Sequence, residues 1–100
     1  MTLRPMIRFV VDKKDRDYVT ETVLDSIRGI DRCKKSKVSE TTSFEDIGLE
    51  SLDQMEAICE IEDKLGFDLK SEEIEKIGNI QQTIDVFLDN YIKRKDRNTV

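Results

Sequence analysis

The apolar residues of this chain recur at helical spacing in four segments, and no segment keeps the alternation of a half-buried strand. The first segment predicts a helix over residues 15–28, ended by Gly29 in a left-handed conformation. The second predicts a helix from near Ser51 to about Leu65, ended by Gly66. The inward positions of the first helix are predicted to be Val19, Val23, Leu24, Ile27 and Ile30.

Two further helices are predicted nearer the C-terminus. The third is short, with Ser71 as its N-cap and Gly78 as its end. The fourth begins at Asn79, and Gln82, three residues later, resembles the second half of a capping box. The basic residues at 93–95 suit the negative end of this helix. The inward positions of the two helices are predicted to be Ile74, Ile77, Ile80, Ile84, Phe87, Leu88 and Tyr91.

These segments predict an all-α fold, a small four-helix bundle of three main helices and one short third helix. A long polar loop over residues 31–50 joins the first two helices, and Phe44, Ile47 and Leu49 are expected to hold it against the core. We divide the chain into an N-terminal extension (1–14), a bundle domain (15–95) and a C-terminal tail (96–100). The extension contains apolar residues but fits no part of the predicted bundle.

Composition limits the function. One hundred residues form one small domain, and the absence of histidine excludes His-based catalysis and His-containing zinc sites, so no metal site is predicted. Cys33 and Cys59 match no metal or redox spacing and suit a reducing cytoplasm. No apolar stretch approaches the roughly 20 residues of a membrane span, and there is no signal-peptide core. We expect a cytoplasmic monomer that does not insert stably into membranes.

Charge is unevenly distributed along the chain. A net charge of −5 and a pI near 4.8 disfavour nucleic acid as a partner. Residues 1–37 carry ten bases and six acids, whereas residues 43–77 carry twelve acids and three bases. The acidic block coincides with the second helix, while the loop before it is basic at Arg32, Lys34, Lys35 and Lys37. Such a block is either a solvated face or a surface for a basic partner.

The second helix has two apolar faces. Ala57, Ile58, Ile61 and Leu65 share one arc, which must face the core. Leu52, Met55 and Cys59 form a second stripe on the nearly opposite side, beside a row of acids. Because a helix in a small bundle buries only one face well, the second stripe indicates a docking surface. The alternative is that the loop folds over Leu52 and Met55 and makes them ordinary core residues.

Ser51 is the residue most open to chemistry. It lies where an ordered loop meets a helix, and the unpaired backbone N–H groups and the helix dipole favour an anion there, such as a phosphate on its hydroxyl. A serine at a helix start is, however, most often only an N-cap. No histidine, lysine or third group stands at a spacing that would activate the hydroxyl, so the chain is not predicted to be an enzyme.

The segment Phe44-Glu45-Asp46-Ile47-Gly48-Leu49-Glu50-Ser51-Leu52-Asp53 resembles the attachment-site motif of acyl carrier proteins. That motif has an Asp-Ser-Leu core after a Phe-x-x-Asp-Leu-Gly-like approach. The similarity extends over about residues 15–92. Glu50 replaces the usual aspartate, and its extra methylene is expected to weaken local capping and to affect recognition by a generic transferase.

The resemblance implies a function. Ser51 would receive 4′-phosphopantetheine from coenzyme A through a separate Mg²⁺-dependent phosphopantetheinyl transferase, and the arm's thiol would carry an acyl group as a thioester. The acyl chain would enter between the helices, with Ile58, Ile61 and Leu65 as candidate walls. Partner enzymes that transfer or modify acyl groups would bind through basic patches. The docking residues implied for them are Glu50, Leu52, Asp53, Met55, Glu56, Cys59, Glu60 and Asp63.

Two alternatives stay open at this point. One is an unmodified adaptor that binds a basic partner through the second helix. The other is a carrier of aminoacyl or polyketide cargo, although peptidyl carriers more often have Gly-Gly before the serine region, which this chain lacks. The unusual Glu50, N-terminal extension and basic loop suggest a specialised lipid or secondary-metabolite pathway outside bulk fatty acid biosynthesis.

Overall fold

A computed structural model describes the backbone of residues 3–31 and 33–98 and the side chains of residues 13–31, 33–34 and 36–94. Within these residues there are four α-helices and no strand. The helices are α1 (Leu3–Arg28), α2 (Ser51–Leu65), α3 (Ser71–Glu75) and α4 (Ile80–Asn98). The loop between α1 and α2 contains two short 3-10 turns, Lys35–Lys37 and Glu45–Ile47. The predicted all-α bundle with a short third helix is confirmed.

The two outermost helices are longer than predicted. Helix α1 begins at Leu3, so residues 3–14 continue it and do not form a separate coil. Pro5 lies in its first turn, where a missing N–H removes no helical hydrogen bond, and this proline together with several β-branched residues obscured the helix in the sequence. Helix α4 continues to Asn98, past the predicted boundary at residue 95. The side chains of residues 3–12 and 95–98 lie outside the described residues.

The ends of α1 and α2 differ in their glycines. Gly66 ends α2 as predicted, with a φ of 84° and its N–H donating to the Glu62 carbonyl at 2.8 Å. Gly29 does not adopt the predicted left-handed conformation. Instead the chain tightens after α1, because the Ile30 N–H donates to the Ile27 carbonyl at 3.1 Å and the Cys33 N–H to the Ile30 carbonyl at 3.0 Å. Such i→i+3 bonds satisfy the last carbonyls without a positive φ.

The starts of α3 and α4 show what fixes each helix register. Ser71 is the first residue of α3 and not its N-cap, which is Lys70. The carboxylate of Glu73 accepts the Lys70 N–H at 3.0 Å and so places the cap one residue earlier than predicted. At α4, the Asn79 side chain accepts the Gln82 N–H at 2.8 Å, as predicted. The Gln82 side chain, however, accepts the Gly78 N–H at 2.7 Å, so the capping box is shifted.

The core lies between α1, α2 and α4 and includes every inward residue predicted for the first helix, although Ile30 lies two residues past the end of α1. Ile80, Ile84 and Phe87 are buried in α4, and Ile74, Leu88 and Tyr91 pack against the core while partly exposed. The three loop residues expected to hold the loop against the core are buried, as are Cys33 and Val38. Cys33 is therefore a core residue. Arg32 and the Lys35 side chain lie outside the described residues.

Candidate attachment site and docking helix

Ser51 is the first residue of α2, and its side chain is exposed. Its N-cap is Glu50, and the Glu50 and Asp53 side chains form a reciprocal capping box. The Glu50 N–H donates to Asp53 Oδ2 at 3.0 Å. Both bonds of the box form with glutamate at the N-cap position. Within the described residues the Ser51 hydroxyl makes no hydrogen bond, which leaves it free to react.

The loop before α2 determines where Ser51 points. Phe44, Ile47 and Leu49 are buried, and the Leu49 N–H donates to the Phe44 carbonyl at 3.0 Å. Gly48 between them has a φ of 82°, a conformation that favours glycine. This turn buries Leu49 and directs the next residues, Glu50 and Ser51, toward solvent.

The electrostatics at Ser51 combine two opposing effects. The first-turn N–H groups of α2 and the helix dipole attract an anion. Glu50 and Asp53 place two carboxylates beside the same turn, and one oxygen of Asp53 is engaged by the Glu50 N–H. A phosphate on the Ser51 oxygen fits this site because the hydroxyl is exposed and unbonded and the capping box does not use it.

The two predicted faces of α2 are both observed. Ala57, Ile58 and Ile61 are buried, and Leu65 packs against the core while partly exposed. On the other side the apolar stripe lies in solvent: Leu52 is 83% exposed and Met55 42%, and Cys59 is exposed as a free thiol. The loop therefore does not cover this stripe. Two of the largest exposed apolar side chains in the described part of the chain follow the candidate attachment serine within four residues.

The predicted docking acids are distributed around that stripe. Glu50, Glu56 and Asp63 are exposed, and Asp53 and Glu60 are half-buried. Glu60 forms an ion pair with Lys64 at 3.5 Å, one turn along the same helix. Such exposed pairs contribute little to stability, so Glu60 can exchange this partner for another cation.

The candidate acyl-chain walls and several unpredicted polar residues lie inside the bundle. Ile58 and Ile61 belong to the core and Leu65 lies at its edge. The buried hydroxyls of Ser26 and Thr83 were not predicted, because both residues lack a distinctive sequence context. Asn90 also links α4 to α3 and was not predicted; an asparagine inside a helix is the one sequence signal that could have pointed to it.

The described residues hold no group of three or more metal-ligating side chains. None of the helices in the described part combines the length and the apolar character needed to cross a membrane.

Fold and site together define a small helical domain in which an exposed serine is the first residue of an acidic helix. Comparison with known proteins agrees with this class. Residues 21–87 match the family model of the phosphopantetheine attachment site. The chain is 33% identical over 72 residues to "Acyl carrier protein 2, mitochondrial" of Arabidopsis thaliana, covering 71% of this chain and 57% of the relative.

Two further relatives carry similar names. Identity is 30% over 66 residues to "Acyl carrier protein, mitochondrial" of Dictyostelium discoideum, covering 66% of this chain and 55% of the relative. Identity is 38% over 64 residues to "Acyl carrier protein" of Chloroherpeton thalassium, covering 63% of this chain and 74% of the relative. The chain thus spans little more than half the length of the two mitochondrial relatives.

This chain belongs to the acyl carrier protein family, whose members have a phosphopantetheine attachment site. Members of this family are carriers and not enzymes, and their prosthetic group is a covalently attached 4′-phosphopantetheine.

Proposed function

We propose that this chain carries acyl groups as thioesters on a 4′-phosphopantetheine arm attached to Ser51. The observation that carries the proposal is the exposed, unbonded hydroxyl of Ser51 at the start of α2. Family membership supports it independently, because the matched region includes this residue. When attached, the arm supplies a terminal thiol that holds the acyl group.

Attachment requires a second protein. The Ser51 oxygen attacks the diphosphate of coenzyme A, a phosphodiester forms, adenosine 3′,5′-bisphosphate leaves, and the hydroxyl proton passes to the transferase. This chain contains no histidine, and within its described residues nothing accepts a hydrogen bond from that hydroxyl. A separate Mg²⁺-dependent phosphopantetheinyl transferase must therefore supply the general base.

The outer face of α2 is the proposed docking surface for the transferase and for acyl-transferring or acyl-modifying enzymes. Leu52 and Met55 offer exposed apolar area beside the attachment point. The surrounding acids favour partners with a basic patch, since opposite charge speeds and orients association. The proposed docking residues are those predicted from the sequence, namely Glu50, Leu52, Asp53, Met55, Glu56, Cys59, Glu60 and Asp63.

The cargo is proposed to enter the bundle beside Ile58, Ile61 and Leu65. These side chains belong to the apolar core or border it, and their helix is the one that carries Ser51. Ile58 lies seven residues along α2 from Ser51, a rise of about 10 Å that an extended arm can span. The apolar side chains at this depth favour an acyl chain over a charged cargo.

Intact-mass measurement tests the attachment. Incubation with coenzyme A, Mg²⁺ and a broad-specificity transferase should add the mass of one phosphopantetheine group to the wild type and none to Ser51→Ala. Ser71→Ala is the matched control, because Ser71 also is an exposed first residue of a helix. No mass gain, or a gain that persists in Ser51→Ala, overturns the proposal.

The rate of the same reaction tests the docking surface. Glu56→Lys should slow modification several-fold by placing a cation against the partner's basic patch. Glu72→Lys makes the same charge change on exposed α3 and should have little effect. Equal rates for the two variants would remove α2 as the docking surface.

An unmodified adaptor is the second candidate, and the exposed stripe of Leu52 and Met55 favours it. It predicts that Ser51→Ala retains full activity in cells, whereas the carrier predicts loss.

A cytoplasmic location and a monomeric state stay predictions. The names of two relatives place those proteins in mitochondria, and cell fractionation distinguishes the compartments.

A further inference from the structure

Ile58 and Ile61, two of the proposed cargo walls, are buried in the packed core, so cargo could enter between the helices only if one wall of the bundle moved. Val19 of α1, Ile61 of α2 and Ile84 of α4 have no exposed area, so each of these helices is held by fully buried side chains. Helix α3 has only five residues, and none of them is fully buried. Its main apolar contribution is Ile74, which packs against the core while partly exposed. Helix α3 is therefore the wall that costs least to displace.

A single carboxylate holds α3 in two ways. Glu73 Oε1 accepts the Lys70 N–H at 3.0 Å, which caps the start of α3. Its other oxygen, Oε2, accepts a hydrogen bond from Asn90 Nδ2 of α4 at 2.6 Å. The same side chain thus starts the helix and ties it to a neighbouring helix.

Asn90 is fixed for this contact by its own helix. Its Nδ2 also donates to the Val86 carbonyl at 2.9 Å, which orients the amide group on the surface of α4. Asparagine lowers the stability of a helix interior. The hydrogen bond from Asn90 to Glu73 offsets this cost.

The connector between α2 and α3, residues 66–70, also contacts α4 near Asn90. The Arg94 guanidinium lies over the Phe67 ring, 5.1 Å from its centre. Phe67 in turn lies 6.1 Å from the ring of Phe87, which is fully buried. This cation–π contact secures the connector, while α3 itself is tied to α4 by the hydrogen bond between Glu73 and Asn90.

We propose that Asn90 and Glu73 form a latch that keeps α3 closed and so determines how readily a long acyl chain enters the bundle. The inference rests on the proposed carrier function and adds a cargo-determining contact to it. Asn90 is a positioning residue, since it acts on the cargo through α3. Removing one charge-assisted hydrogen bond is expected to raise the open fraction about tenfold.

The test loads wild type, Asn90→Ala and Asn90→Asp with acetyl or dodecanoyl phosphopantetheine by transfer from the acyl-coenzyme A. Cleavage of each thioester by hydroxylamine then reports whether the cargo is sheltered. Gln81→Ala is the control, because the Gln81 side chain bonds Asp85 at 2.9 Å within α4. Circular dichroism and the melting temperature of the unloaded proteins establish that each variant folds.

The latch predicts slower cleavage of the dodecanoyl thioester, by several-fold, in both Asn90 variants than in wild type and Gln81→Ala. Acetyl thioesters, which are too short to displace α3, should be cleaved at one rate in all four proteins. Equal dodecanoyl rates in Asn90→Ala and wild type overturn the latch and leave the carrier function intact. A wild type that gains no arm overturns the carrier function and the latch with it.

Discussion

The Glu62 side chain of α2 accepts the backbone N–H of Leu69 through Oε2 at 2.7 Å. The Glu62 carbonyl accepts two more connector donors, the N–H groups of Gly66 at 2.8 Å and Phe67 at 3.3 Å. One residue therefore satisfies three backbone groups of the segment between α2 and α3, and Leu69 and Phe67 are buried beside it.

Replacing Glu62 by alanine should destabilise the fold by about 1–3 kcal/mol, because the Leu69 N–H loses its acceptor next to a buried side chain. Urea denaturation measures the change. Asp63→Ala, at the neighbouring exposed position, should change stability by less than about 0.5 kcal/mol. Equal effects for the two variants would show that the Glu62 contact does not organise the connector.

Ser26 and Thr83 give opposite predictions for buried hydroxyls. The Ser26 Oγ is fully buried and has no partner within the described residues, whereas Thr83 Oγ1 donates to the Asn79 carbonyl at 2.8 Å. Ser26→Ala should leave stability unchanged or raise it by up to about 1 kcal/mol, while Thr83→Val should lower it by roughly 0.5–1.5 kcal/mol. Thermal unfolding of both variants checks the difference, and a clear loss in Ser26→Ala contradicts it.

The Glu73 carboxylate makes stability depend on pH. The hydrogen bond from Asn90, and then that from the Lys70 N–H, hold the pKa of Glu73 below its ordinary value of 4.5. A carboxyl group with a lowered folded-state pKa stabilises the fold above its unfolded-state value, and this stabilisation is lost as pH falls through the folded-state value. The stability difference between wild type and Glu73→Gln should therefore be largest near neutral pH and shrink below 4.5.

Urea denaturation of the two proteins from neutral to acid pH measures that difference. Asn90→Ala removes the largest cause of the lowered Glu73 pKa. The difference in unfolding free energy between Asn90→Ala and Asn90→Ala/Glu73→Gln should therefore vary less with pH. If the stability difference between wild type and Glu73→Gln stayed constant from neutral to acid pH, Glu73 would have the same pKa in the folded and unfolded chain.

The acidic block should make stability sensitive to salt. Twelve acids and three bases lie within residues 43–77, and many of the acids are exposed. Mobile ions screen their repulsion over about 10 Å at roughly 0.1 M salt, so the melting temperature should rise from low to moderate ionic strength. The variant Glu56→Gln/Asp63→Asn should show a smaller rise. A melting temperature independent of salt would show that this repulsion is negligible.

Much of the fold follows from apolar periodicity. The stripes of α1, α2 and α4 occupy the predicted inward positions because burial of apolar area dominates the choice of helix face. The exposed stripe of Leu52 and Met55 was also predicted, because a short helix in a small bundle has only one side to bury. Ser51 was identified by its position between loop and helix together with a family motif.

Other features depend on contacts that periodicity does not encode. Ser71 was predicted as an N-cap, but Glu73 closes a capping box with Lys70, which is therefore the N-cap. Gly29 was predicted to be left-handed, but i→i+3 bonds end α1 without it. The bond between Glu73 and Asn90 joins residues seventeen positions apart, and only the packing of α3 on α4 brings them together.

The capping box at the start of α2 is independent of the Ser51 hydroxyl. Glu50 and Asp53 close that turn between themselves, so Ser51 contributes no side-chain bond to the architecture of its own helix. Attachment of the proposed arm to this oxygen would therefore break no side-chain hydrogen bond of the turn, so the unmodified and modified forms are expected to share the same helix start.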